Sequence, residues 1–142
     1  MILVDLNILL YAVNSGGPEH GPASDWLRAA LREGDEPIGL GWVVVLGFLR
    51  LSTSPRLFPR PLGIDEALLF VETLLAHRLV RKVLPGEGHW ALLRHLLTLS
   101  GTGGNLVTDA HLAALALEYD ARIATRDADF SRFPGIRTLR PF

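Results

Sequence analysis

Met1-Ile2-Leu3-Val4-Asp5 opens the chain, and Ile2-Leu3-Val4 is a short run of β-favouring apolar residues stopped by an acid. The stretch over 20–32 then carries apolar residues at helical spacing, at Trp26, Leu27, Ala30 and Leu31. Strand, connection and helix thus succeed one another, and the remainder repeats the pattern. Ile38-Gly39-Leu40 predicts a second strand. The segment 42–51 is so apolar that it fits a buried strand or a buried helix, with length favouring helix. Pro55, Pro59 and Pro61 break regular structure, and Ile64-Asp65 opens a helix with Ala67, Leu68, Val71, Leu74 and Leu75 on one face. A strand over 79–84 and a helix over 89–99 follow. Then come a Ser100-Gly-Thr-Gly-Gly loop, a helix over 105–118 and a strand at Ile123-Ala124-Thr125. A turn or single helical turn over 127–132 and a last strand over 136–139 complete the chain. This alternation calls for an α/β fold with a mainly parallel central sheet and helices on both faces. In such sheets functional groups gather beyond the carboxyl ends of the strands.

With 142 residues, 49% of them hydrophobic, the chain suits a single domain over 1–142, and no repeat, linker or low-complexity tract divides it. Fourteen Lys plus Arg against fifteen Asp plus Glu give a formal charge of −1, so any RNA or DNA site must be local. Thirteen of those fourteen cations are arginine, which suits phosphate forks but follows equally from genomic codon bias. The absence of cysteine excludes a disulfide scaffold, thiolate catalysis and Cys-ligated zinc or iron–sulfur clusters. Metal chemistry would have to use oxygen or histidine. The first apolar run lacks a basic flank and is interrupted by Asp5 and Asn7, unlike a signal peptide or a membrane span, which predicts a soluble, cytoplasmic protein. A mean hydropathy of +0.27 calls for a crowded interior or an apolar face kept for a partner chain.

Acids mark three strand ends or helix starts. Asp5 follows the first strand, Asp109 lies near a helix start, and Asp127 and Asp129 follow the strand ending at Thr125. Each has a purely local explanation: a cap for Asp5, a first-turn residue for Asp109, turn formers for Asp127 and Asp129. If the strands are neighbours, however, these side chains converge at one rim, where their repulsion asks for a divalent cation. Carboxylate oxygens are the ligands Mg²⁺ and Mn²⁺ prefer, and such sites serve chemistry on phosphates.

The chain resembles a family at this point. Leu3-Val-Asp-Leu-Asn-Ile-Leu-Leu-Tyr-Ala, Leu46-Gly-Phe-Leu-Arg-Leu, Asn105-Leu-Val-Thr-Asp-Ala-His-Leu-Ala-Ala-Leu-Ala and Ala124-Thr-Arg-Asp-Ala-Asp-Phe look like the ordered signatures of PIN-domain ribonucleases, specifically the VapC-like toxins of type II toxin–antitoxin pairs. Four motifs in order, over 3–142, are far more specific than one. The resemblance implies a three-layer α/β/α fold and an acidic site that binds Mg²⁺ or Mn²⁺ and hydrolyses RNA phosphodiesters. It further implies a cognate antitoxin partner and a toxin homodimer. Carried over by motif, Asp5, Asp109 and Asp127 form the acidic, metal-binding core, and Asp129 is a further catalytic candidate. Asn7 and Thr125 are neighbouring polar groups assigned to substrate binding.

The chain departs from the pattern at Gly47, where many PIN domains carry a glutamate, which weakens a two-metal assignment. Glu118 lies about two and a half helical turns past Asp109 and is expected to be remote. Arg50 closes a nearly unbroken apolar stretch, which favours a role on an RNA phosphate or beside the acids over a bare surface arginine. Arg126 and Arg132 could track RNA or simply be solvated. His20, His77, His89, His95 and His111 form no compact zinc pattern, and His111 points about 160° away from Asp109 on its helix, which favours a structural role. Trp26, Trp42 and Trp90 with Phe48, Phe58 and Phe70 could include RNA-stacking surfaces but are expected mostly in the core, while the helices near 68–75 and 90–97 are better candidates for association.

Two other classes compete with a toxin nuclease. Gly47 and the missing basic excess would suit a catalytically silent PIN domain that binds RNA or protein. A phosphotransfer domain with an acid after the first strand is disfavoured, because Asp5-Leu-Asn lacks the second Asp such phosphatases use.

Overall fold

Strand β1 (Ile2–Val4) is buried at every position, as is β2 (Ile38–Gly41), and continuous burial on both faces is what the interior of a parallel sheet demands. In the computed structural model, which describes residues 1–142, they are joined by β3 (Val80–Val83), β4 (Arg122–Ala124) and β5 (Arg137–Leu139). All pairings are parallel, in the order β3-β2-β1-β4-β5. The two edge strands betray themselves by composition: Arg81 and Lys82 of β3 and Arg137 and Thr138 of β5 are exposed, and charged residues blunt an open sheet edge. Close packing within the sheet is tightest at Gly39, where a Cβ would fall 2.2 Å from Leu3 Cδ2, so the side chain of β1 occupies the space a larger residue on β2 would need.

Six helices connect the strands: α1 (Leu6–Val13), α2 (His20–Arg32), α3 (Trp42–Ser52), α4 (Ile64–Ala76), α5 (His89–Ser100) and α6 (Leu106–Glu118). The crossovers from β1 to β2 and from β2 to β3 step the same way across the sheet, whereas that from β3 to β4 steps back. Right-handed connections therefore put α1 to α4 on one face and α5 with α6 on the other. Helix contacts follow that division: α1 packs on α2 and α3, α3 on α4, and α5 on α6. The result is the three-layer α/β/α arrangement, with a sheet that is entirely rather than mainly parallel.

Two segments differ from, or sharpen, the expectation. The connection expected after β1 is an eight-residue helix, α1, capped by Asp5, with Ile8, Leu9 and Ala12 buried on one face. Its Leu-Asn-Ile-Leu-Leu-Tyr-Ala-Val sequence is apolar almost all round, so no stripe stands out against a polar background. The undecided segment after β2 is the helix α3. Val44, Val45, Gly47 and Phe48 face inward, and Phe48 stacks on Phe70 of α4 with ring centroids 4.9 Å apart. Helix α5 ends at Gly101 in the left-handed conformation, φ 68°, which begins the glycine-rich loop expected there.

Candidate active site

Strands β1 and β4 lie side by side, Val4 opposite Ala124, and the chain leaves them toward opposite edges of the sheet. A crevice opens at such a switch point beyond the carboxyl ends of the strands. Asp5 is the first residue past β1, and its backbone N–H still bonds the Ala124 carbonyl at 3.0 Å. Its side chain is 7% exposed and fixed twice over. Oδ1 accepts the Leu6 N–H at 2.6 Å, capping α1, and Oδ2 accepts the Thr125 hydroxyl at 2.6 Å. The Thr125 oxygen in turn accepts the Asp127 N–H at 2.9 Å, and Asp127 Oδ1 accepts the Asp129 N–H at 2.8 Å, opening the 3-10 turn Ala128–Arg132. One hydrogen-bonded chain thus runs from Asp5 to Asp129. Asp109 arrives from the other direction, in the first turn of α6.

The carboxylate oxygens of Asp109, Asp127 and Asp129 come within 4.8 Å of one another. Asp5 lines the same cleft but stands outside that group, so Asp129, expected as a further candidate, belongs to the cluster as directly as the others. Burial pushes the Asp109 carboxyl up to about 6, and the charges of Asp5, Asp127 and Asp129 add to the rise. The Asp5 carboxyl is also raised, by burial, against the lowering influence of Thr125 and the Leu6 N–H. Carboxylates held this close against their own repulsion, with an oxygen-only donor set, fit a hard divalent cation. The amide oxygen of Asn7 supports the fit: it is buried at the cleft with no hydrogen-bond partner.

The cleft holds about 460 Å³. Besides the acids and Asn7, its wall on α3 presents Leu46, Gly47 and Arg50. Arg50 is exposed and takes part in none of the six ion pairs of the molecule, so its guanidinium is uncommitted beside the acids. At Gly47 an added Cβ would meet Leu6 Cδ2 at 2.7 Å: Leu6 fills the space next to α3, and no carboxylate reaches the cleft from that helix. Thr125, assigned to substrate binding from the sequence, is 4% exposed and absent from the cleft wall. Its hydroxyl is occupied by Asp5 and the Asp127 N–H, so its place is that of a positioning group.

Other expectations resolve in the same way. Arg126 lies over the Phe142 ring at 4.9 Å, and Arg132 Nε reaches Asp129 at 3.0 Å, so both have partners within the chain. Of the tryptophans expected mostly in the core, Trp42 is 47% and Trp90 70% exposed. Leu68 and Leu69 of α4 are exposed as well, consistent with the apolar surface expected there. Glu118 stands apart from the cleft wall, as expected, but it organises a network that the sequence does not reveal. Its Oε2 meets His89 Nδ1 at 2.6 Å, its Oε1 accepts the Gly86 N–H at 3.0 Å, and His89 Nε2 meets His111 Nδ1 at 2.8 Å. The carboxylate makes His89 Nδ1 the donor, so the neutral pair places the second proton on His111 Nδ1. Burial and the neighbouring His89 hold the His111 imidazole below its ordinary value. No motif spacing signals the group, since its members lie 22 and 29 residues apart and are joined only by the packing of α5 on α6.

Comparison with known proteins agrees with this architecture. The PIN domain family matches residues 2–136. Over 141 residues the chain is 47% identical to "Ribonuclease VapC37" of Mycobacterium tuberculosis, spanning 99% of this chain and 97% of that protein. Among solved structures, VapBC2 from Rickettsia felis bound to a promoter DNA fragment superposes with a TM-score of 0.68 at 19% identity, covering 98% of both chains. Mycobacterium tuberculosis VapC20, described as a Sarcin-Ricin loop cleaving toxin, gives 0.68 at 18% identity, covering 96% of this chain and 99% of that one. At those identities the likeness is one of fold.

Proposed function

The chain belongs to the PIN-domain family, and from that premise we propose that it is a divalent-metal-dependent endoribonuclease, the toxin of a toxin–antitoxin pair. The observation that carries the proposal is the meeting of Asp109, Asp127 and Asp129 beside Asp5 at the β1/β4 switch point. Asp109, Asp127 and Asp129 would hold Mg²⁺ or Mn²⁺, with Asp5 on the cleft wall beside them. Bound there, such an ion supplies Lewis acidity and a water of lowered pKa for attack on phosphorus. The protein's own part is positional. Thr125 holds Asp5 and the backbone of Asp127 in one register, and Asn7, on the cleft wall, carries a buried amide oxygen that no group of the chain satisfies. Arg50 presents a guanidinium fork to a phosphate, where charge-assisted bonds are strongest. The polarity fits RNA only in this local sense, because a chain of net charge −1 cannot hold a polyanion by bulk attraction.

A silent PIN domain that binds RNA or protein would rest on Gly47 and the missing basic excess, and four converged carboxylates give such a module no use for their mutual repulsion. The partners proposed with the activity are an antitoxin chain and a second copy of the toxin, for which the exposed leucines of α4 and Trp90 of α5 offer apolar surface. No helix is long and apolar enough to cross a membrane; by its kinship with the VapC ribonucleases we place the protein in the cytoplasm.

The test is incubation of the purified, antitoxin-free protein with a mixed structured RNA pool in Mg²⁺, in Mn²⁺ and in chelator, beside Asp5→Ala and Asp109→Ala. Discrete metal-dependent fragments, lost in both variants, are expected. An intact pool together with no Mn²⁺ binding by calorimetry would overturn the proposal.

A further inference from the structure

The residues Trp42, Leu46 and Arg50 recur every fourth position along α3, so their side chains form one stripe on that helix. All three are exposed, Trp42 by 47% and Leu46 by 61%, while the residues between them, Val44, Val45 and Phe48, are buried in the core. The helix therefore turns one apolar face inward and a second outward, and the outward one ends in a cation. This second face is not remote from the acids. Leu46 and Arg50 belong to the wall of the acidic cleft, and Trp42 is the first residue after β2. Strand β2 pairs in parallel with β1, Leu3 opposite Gly39, so the helix that begins at Trp42 leaves the same rim of the sheet as Asp5.

From this juxtaposition, and resting on the nuclease reading, we infer that Trp42 and Leu46 form a base-stacking wall. On it the nucleotide beside the scissile phosphate is unstacked from its neighbours and selected, with Arg50 taking an adjacent phosphate. The occupant is RNA rather than a protein helix for reasons of position. Any strand whose phosphate reaches Asp5, Asp109 and Asp127 must lay a neighbouring nucleotide on one of the cleft walls. The wall on α3 offers an isobutyl group and one guanidinium without a carboxylate partner, and the exposed indole of Trp42 continues the same stripe one helical turn before Leu46. An indole face accepts any base and is sequence-tolerant, and Leu46 and Val43 add apolar surface on the cleft wall beside it. A paired A-form duplex presents phosphates and 2′-hydroxyls to a protein rather than base faces, so the wall serves an unpaired nucleotide.

The inference is tested by binding as well as by cleavage. The variant Trp26→Phe/Trp90→Phe leaves Trp42 as the sole tryptophan, and its fluorescence is titrated with single-stranded hexanucleotides, oligo(A) and oligo(U), in chelator so that nothing is cut. Quenching of Trp42 that saturates is expected. In the otherwise natural chain, Trp42→Ala is expected to weaken binding by roughly 5- to 100-fold, the range measured for loss of one base–aromatic stack, and Trp42→Phe to restore it to within about threefold. In cleavage assays the same loss falls on KM and on the choice of cut site, with kcat changed little. Unquenched Trp42 fluorescence, or a Trp42→Ala variant with unchanged affinity and cut sites, overturns the inference and leaves the nuclease reading standing. A Trp42→Ala variant that binds RNA normally but dissociates from a dimer, read by gel filtration, assigns the stripe to a protein contact and overturns it as well. If the wild-type chain cleaves nothing, the quenching titration still decides the stacking wall by itself.

Discussion

Replacement of Asp109 by asparagine tests whether the acidic cluster is held against its own electrostatics. The Asp109 carboxyl moves from 3.8 to about 6 on folding, and the causes are burial and three neighbouring carboxylates, with no hydrogen bond among them. An amide of the same shape therefore loses no partner and sheds the repulsion. The sign follows from linkage. A carboxyl whose pKa is raised in the folded state binds more protons there than in the unfolded chain, so its favourable contribution is complete below the unfolded value and is lost as pH rises through the folded one. A rise of about two units corresponds to roughly 3 kcal/mol, and solvent access to this half-buried group reduces it to about 1–2 kcal/mol. Without metal, Asp109→Asn is thus expected to be more stable than the parent by about 1–2 kcal/mol at pH 7.5, and by about half as much at pH 5. Urea unfolding in chelator at the two pH values measures it. Added Mn²⁺ should stabilise the parent by mass action and the variant little, so the order of stabilities closes or inverts. A variant equal to or weaker than the parent in chelator at pH 7.5, or a difference that ignores pH, would refute the account of the cluster.

Two further substitutions probe the supports of the site. Thr125→Val removes the donor to Asp5 and strands the Asp127 N–H, a loss of about 2–4 kcal/mol in urea unfolding, which Thr125→Ser should largely recover. An unchanged urea midpoint would show that the hydroxyl does not hold the two acids together. Glu118→Gln should loosen the loop at Leu84 to Gly88 by about 1–2 kcal/mol, because the neutral amide is a weaker partner for His89 and for the Gly86 N–H. Faster amide exchange at Gly86 with metal-dependent RNA cleavage intact is the expected pair of results, and protection equal to the parent's would remove Glu118 from that role.

How far the sequence discloses this molecule depends on the range of the interaction concerned. The alternation of strands and helices is local, and it suffices for most of the order of elements and for the parallel sheet, whereas the convergence of Asp5, Asp109 and Asp127 depends on which strands are neighbours and is legible through the ordered motifs of the family. The helix α1 is lost to local inspection because Leu6, Ile8, Leu9 and Leu10 are apolar on several faces, so the period that marks a helix has no polar counterpart. Thr125 shows why a motif locates a residue better than it assigns a role. Adjacent to the site in sequence, it faces inward at the end of β4 and meets Asp5, 120 residues earlier, only through the pairing of β1 with β4. The His89–His111–Glu118 network lies wholly beyond local reading, since its existence depends on how α5 and α6 cross.

The acids also show that a structural and a chemical explanation of one residue need not exclude each other. Asp5 caps α1 and Asp127 caps the 3-10 turn, the roles that spacing alone would assign them. Those same hydrogen bonds aim the carboxylates. A capping aspartate spends one oxygen on a backbone N–H and keeps further lone pairs, and since the cap fixes its rotamer, the free lone pairs point where the element begins, which in a parallel sheet is the rim above the strand ends. Capping thus preorganises the site at no separate entropic expense. The residual repulsion falls on Asp109, the one of the four acids with neither a hydrogen bond nor an ion pair on its carboxylate, where burial first and the charges of Asp5, Asp127 and Asp129 next favour a bound positive charge. Gly47 fits this economy. With Leu6 packed where a further carboxylate would emerge from α3, the cleft gains no further repulsion from that side, and the helix is free to present Arg50 and an apolar wall instead.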